Sequence, residues 1–99
     1  MEDRASQELR AFVYEGIRRG AAKGFDPSGF IKLLDTYEMK RAISKLVTGE
    51  DIHGDFQRLI ELELVDWSVE AAVVKFPTEF SERDIECAKL RLSQGRQGA

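Results

Sequence analysis

Apolar residues recur at helical spacing along almost the whole chain. Leu9, Phe12, Val13 and Ile17 fall at i, i+3, i+4 and i+8, one stripe of a helix from about Ser6 to Arg19. Ser6 suits its N-cap, because its hydroxyl can accept from a free first-turn amide. Arg18 and Arg19 complement the negative end of the helix, and Gly24 is a natural stop. Asp26-Pro27 then predicts a new start, with Asp26 as the cap and Pro27 in the first position. That helix carries Phe30, Ile31, Leu33 and Leu34 and ends near Thr36. A third follows closely, with Met39, Ala42, Ile43, Leu46 and Val47 facing inward and Gly49 at its end. Residues 50–55 have the composition of a loop. A fourth helix starts near Asp55, with Phe56, Leu59, Ile60 and Leu64 turned inward.

The next stretch is the most apolar. Asp66 is the expected cap of a fifth helix, in which Glu70 and Lys75 are the only charges among Val69, Ala71, Ala72, Val73, Val74 and Phe76. A helix apolar on most sides is a central one. The rival is a short buried strand, since Ala-Val-Val-Lys-Phe has β propensity; the opening Ser-Val-Glu-Ala-Ala favours the helix. Pro77 ends the element and pushes Phe76 toward extended backbone. Ser81-Glu82-Arg83-Asp84 forms a capping box with Asp in place of the usual Glu. The last helix then runs to about Ser93, with Ile85, Ala88 and Leu92 as its inward stripe. Gln94 to Ala99 reads as a flexible tail. The expected fold is all-α, a compact bundle of five or six short helices around a central apolar helix near 67–76. It forms one domain over residues 1–99, ordered over 6–93. Phe30-Ile-Lys-Leu-Leu-Asp and Phe56-Gln-Arg-Leu-Ile-Glu match in type; the limited vocabulary of amphipathic helices accounts for this more simply than duplication does.

Composition narrows the classes of function. In 99 residues there are 15 basic and 18 acidic side chains, too few positive charges for a nucleic-acid coat. No apolar run approaches the length of a membrane span, and the acidic N-terminal residues do not resemble a signal peptide. One cysteine forms neither an internal disulfide nor a multi-cysteine zinc site. A cytoplasmic location is the expectation.

Catalytic and metal patterns are weak. His53, the single histidine, lies among Glu50, Asp51 and Asp55, but the spacing fits neither a calcium loop nor a zinc motif. Cys87 has no histidine or asparagine partner in a nucleophile motif. Gly16, Gly20 and Gly24 sit within and after a helix rather than between a strand and a helix, so they suit close packing, not phosphate binding. No catalytic residue, cofactor or metal is expected, and the chain reads as a non-enzyme.

Charge distribution says more. Residues 50–79 hold eight acidic and two basic residues, whereas residues 1–49 hold nine basic and seven acidic. An acidic face of this kind steers a basic partner. Glu61, Glu63 and Glu70 are therefore candidate protein-binding residues. Cys87 and Leu90, an i, i+3 pair off the inward stripe of the last helix, are a second candidate patch. The alternative is a helix-turn-helix-like nucleic-acid module, with Lys40, Arg41 and Lys45 on the outer face of the third helix.

The run from Phe56 to Val74, with its Leu62-Glu63-Leu64 helix end followed by Asp66-Trp67-Ser68-Val69-Glu70-Ala71, resembles a family of small uncharacterised bacterial helical proteins. Gly24-Phe25-Asp26-Pro27 and the helix after it are similar as well, so the resemblance covers most of residues 9–93. It implies a stand-alone helical module of bacterial or phage origin and transfers no activity and no site residue. The expected function is a small adaptor or regulator that docks on a protein, a phage- or mobile-element-encoded inhibitor among the variants. Its partner is a protein, a second copy of the chain included, with nucleic acid as the alternative and no membrane.

Overall fold

Six α-helices follow one another in a computed structural model that describes residues 5–49 and 54–97: α1 (Gln7–Ala22), α2 (Ser28–Thr36), α3 (Met39–Val47), α4 (Gly54–Glu61), α5 (Val69–Lys75) and α6 (Glu82–Gln97). Single 3-10 turns at Val65–Trp67 and Pro77–Glu79 flank α5. No strand occurs among the described residues, so the chain is an all-α bundle of short helices.

The helix starts are set by local chemistry. The Ser6 hydroxyl accepts from the Leu9 amide, and it donates in turn to Glu79, whose carboxylate also accepts from the Ser6 amide at 2.8 Å. The cap of α1 is thereby tied to the turn after α5. At α6 the box is reciprocal: the Asp84 amide donates to Ser81 Oγ at 3.2 Å and the Ser81 amide donates to Asp84 Oδ2 at 3.3 Å. Asp84 Oδ1 meanwhile accepts from the Ser44 hydroxyl at 2.7 Å, so the same carboxylate ties α6 to α3.

Two expected caps shift by one or two residues. Ser68, not Asp66, caps α5, its Oγ accepting from the Ala71 amide at 3.1 Å. Asp66 instead lies inside the preceding 3-10 turn. Asp26 accepts from the Ser28 amide at 3.0 Å, an Asx turn that leaves Pro27 at the N-cap position of α2. Phe76 is less extended than expected, at φ −121° and ψ 60°. The last helix continues to Gln97, past the expected end at Ser93, so residues 94–97 are not a loose tail. Nothing in Gln94 to Gln97 other than one glycine opposes helix, and a single glycine does not end one.

Two helices end in the left-handed turn that closes the last carbonyls. After α1, Gly24 takes φ +88°, and the Phe25 amide returns to Gly20 O at 2.9 Å. After α4, Glu63 takes that position at φ 60°, and the Leu64 amide returns to Leu59 O at 2.8 Å. This turn takes Leu64 out of α4 while keeping it buried.

α5 is the centre. It packs on α6, α3 and α1 and contributes Ala72 and Val73 to a core shared with Leu9 and Val13 of α1, Met39, Ile43 and Val47 of α3, and Ala88 of α6. Helix, not strand, is the state of residues 69–75. Burial of Ala88 and Leu92 agrees with the expected inward stripe of α6.

Glu70 is the main departure from the pattern. It lies at the heart of the bundle, fully buried, with Arg91 Nη1 3.2 Å from Oε2. Arg91 is buried too. It also donates to Leu46 O at 2.6 Å and to Gly49 O, the carbonyls at the end of α3. One guanidinium thus joins α5, α6 and the C-terminus of α3.

Gly16 shows why a residue of poor helix propensity stands inside α1. A Cβ there would meet the backbone oxygen of Trp67 at 2.9 Å. Gly16→Ala gains about 1 kcal/mol of helix propensity. It forces α1 off the Val65–Trp67 turn, and such overpacking costs about 1–3 kcal/mol. We expect Gly16→Ala to lower the midpoint of urea unfolding; an unchanged or higher midpoint would show that the turn moves aside freely.

Candidate functional site

α2 is the one fully described helix with no buried residue. It nonetheless carries Phe30, Ile31, Leu33 and Leu34. At 100° per residue these four span an arc of roughly 160°, wider than one neighbouring helix covers. α3 is its main support. Phe30 and Leu34 lean on the core, and Ile31 is left 42% exposed.

Ile31 precedes Leu34 and Asp35 by three and four positions, hence on the same face. Those two residues line a groove of about 380 Å³ together with Tyr14 and Arg10 of α1 and Tyr37 at the turn into α3. Tyr14 is 53% exposed. The result is a mixed band: exposed Ile31 and Tyr14 and half-buried Leu34 and Tyr37 are set among Arg10, Asp35 and Glu38, and the groove itself exposes more polar than apolar surface. Exposed aliphatic and aromatic side chains interleaved with charges of both signs have the anatomy of a docking surface.

Among the described residues the acidic segment does not form one acidic face. Glu61 and Glu63 are exposed, as expected. Glu61 pairs with Arg58 at 3.3 Å. Basic residues at the end of α1 and just after it border this segment: Lys23 Nζ donates to Leu62 O at 2.9 Å and the Arg19 guanidinium lies 4.5 Å from the Trp67 ring centre. Glu70 is not on the surface at all, so it cannot contact a partner; its burial follows from the central place of α5 and the guanidinium beside it. Farther along α1, Glu15 holds Arg18 and Arg19, and the Arg18 hydrogen bond keeps its carboxyl below the ordinary value near 4.5. The stabilisation from this exposed group is present above that ordinary value and is lost as pH falls through the lowered one.

On α6, Leu90 is 60% exposed and Cys87 is half-buried. They lie one turn apart and form a narrower patch than the α2 band. On α3, Arg41 and Lys45 are exposed and Lys40 is half-buried. Arg41 and Lys45 both approach the Tyr37 ring, at 5.8 and 4.7 Å from its centre. Lys40 and Arg41 share a groove with Glu38, Glu79 and Asp84. His53, Glu50 and Asp51 lie outside the described residues, as does the side chain of Asp55; among the described residues no group of three or more His, Cys, Asp or Glu side chains could hold a metal ion.

A second concavity lies beside Phe30 of α2. It is an apolar, half-enclosed cavity of about 70 Å³ between α1, α2 and the Val65–Trp67 turn, with Phe12, Ile17, Phe25, Phe30 and Trp67 in its wall. An unfilled space of that size costs a fold roughly 2 kcal/mol.

Comparison with protein-family models, with curated proteins and with solved structures finds no match. No helix among the described residues is long and apolar enough to cross a membrane.

Tyr14, Ile31 and Tyr37 are the site residues that sequence reasoning missed. The available signal was the width of the apolar arc on α2, four large side chains in a helix of only nine residues.

Proposed function

We propose that this chain is a non-enzymatic protein-binding module, an adaptor or regulator, that docks through the band formed by Ile31 and Leu34 of α2, Tyr14 of α1 and Tyr37. The observation that carries this reading is the absence of any buried residue on a helix with four large apolar side chains. The mixed-sign rim of Arg10, Asp35 and Glu38 suits a partner with an apolar stripe flanked by both charges, as on an amphipathic helix. The non-enzymatic part is supported by what the closest polar clusters do. Ser6 with Glu79, and Ser44 and Ser81 with Asp84, are engaged in capping and in joining helices. The Cys87–Leu90 patch of α6 is the second candidate surface.

Nucleic-acid binding through Lys40, Arg41 and Lys45 is the alternative. It has less support, because Glu38, Glu79 and Asp84 line the groove that holds Lys40 and Arg41 and would repel a phosphate.

The test is capture by the tagged chain from a nuclease-treated lysate, with Ile31→Glu and Leu90→Glu compared at equal helicity and melting temperature. Loss of a stoichiometric protein with Ile31→Glu alone is the expected outcome. Loss with Leu90→Glu alone moves the docking surface to α6. A captured set that vanishes with nuclease favours the alternative.

A further inference from the structure

The cavity behind α2 has features that a packing defect does not require. Interiors close to crystal density leave few voids larger than a water molecule. This one, at about 70 Å³, is larger and half-open, so its content exchanges with solvent. Water has little to hold it there. The polar side-chain groups in the wall are the Ser68 hydroxyl, which already donates to Val65 O at 2.7 Å and accepts from the Ala71 amide at 3.1 Å, and the Trp67 indole N–H, a donor only. A bound water needs two to four polar partners, so the space favours apolar contents.

The wall also has a chemical bias. Phe12, Phe25, Phe30 and Trp67 come from α1, the α1–α2 loop, α2 and the turn before α5. Trp67 is fixed by stacking on Phe12, with ring centres 4.8 Å apart, and by Arg19 on its ring. Its orientation therefore does not depend on a ligand. Gly16 adds no side chain to the wall, and the approach of Trp67 O keeps that position bare. Aromatic walls favour edge-to-face contact with another ring. An engineered dry cavity of about 150 Å³ encloses benzene completely. This space is about half as large and open on one side, so a ring enters with part of it at the mouth.

We propose that this cavity is a binding site for a small neutral molecule carrying one unsubstituted aromatic ring. The inference is independent of the docking reading, because the cavity wall includes none of Tyr14, Ile31, Leu34 or Tyr37.

Trp67 is the single tryptophan of the chain, so its emission reports on the surroundings of this one ring, and the methyl resonances of the wall assign a change to the cavity. The experiment titrates the full chain with benzene and follows Trp67 fluorescence together with the 13C-methyl resonances of Val13, Ile17, Leu46, Leu59 and Val69. The expected result is a saturable change at these methyls and at Trp67, while the Leu90 methyls stay still. Ile17→Phe, which fills the space, is expected to weaken benzene binding about tenfold or more. Val13→Ile is the smaller filling variant, to be read if the larger one does not fold. A response that is linear in benzene, that spreads to Leu90, or that is unchanged in a folded filling variant would overturn the proposal. Cyclohexane binding as well as benzene would overturn the aromatic preference.

Discussion

Arg91→Leu is expected to destabilise the fold by about 3–5 kcal/mol, the cost of removing one member of a buried ion pair. Its bonds to Glu70 on α5, to Leu46 O and to Gly49 O are lost together. Glu70 stays at the centre of the core, and the end of α3 loses its two donors. Glu70→Gln is expected to cost less, because Arg91 keeps both carbonyls and the amide oxygen still accepts. The order of the two variants is thus the informative quantity, read from chemical denaturation by circular dichroism. Equal effects would mean that the carbonyl bonds contribute nothing. A double replacement, Glu70→Leu with Arg91→Met, is expected to recover part of the loss, since a packed apolar pair avoids the desolvation of two charges.

Ile43→Ala is the second large effect. Ile43 is fully buried on α3 and belongs to the core it shares with α1, α5 and α6. Truncation there removes buried methyl groups and leaves a hole that helices on three sides cannot all close. The expected loss is about 2–5 kcal/mol. In a domain of this size that lowers Tm by roughly 10–20 °C. Ile31→Ala, by contrast, removes a side chain already 42% exposed and is expected to change Tm by a small fraction of that. The contrast between the two isoleucines separates a residue that holds the fold from one left free for contact. A fall in Tm as large for Ile31→Ala as for Ile43→Ala would place α2 within the core after all.

Local signals in the sequence located the helices because their causes are local. Ser6 and the Ser81–Asp84 box were legible since each cap bonds an amide three residues away. Burial of Met39, Ala42, Ile43 and Val47 followed from helical period alone. The Asx turn at Asp26 and the run of α6 to Gln97 are local departures, and the larger misses depended on packing and distant partners. Asp66 and Ser68 are both good caps by type, and the 3-10 turn that precedes α5 decides between them. Glu70 read as surface acid because its charge was legible and its partner, 21 residues away, was not. A hint was present: a lone acid in an otherwise apolar central helix has to be paired if buried. The α2 band escaped for the same reason. Period shows that Phe30, Ile31, Leu33 and Leu34 occupy one broad arc, and only the packing shows how little of it α3 covers.

The docking reading is tested most directly by placing the photocrosslinking residue benzoylphenylalanine at position 31 or at position 86 and irradiating the chain in its native lysate. Position 31 sits on the α2 band, and position 86 lies on the exposed side of α6, one turn before Leu90. The account expects one discrete protein adduct from position 31, absent when Tyr14→Glu is added, and none from position 86. No adduct from position 31, or the same adducts from both positions, would contradict it.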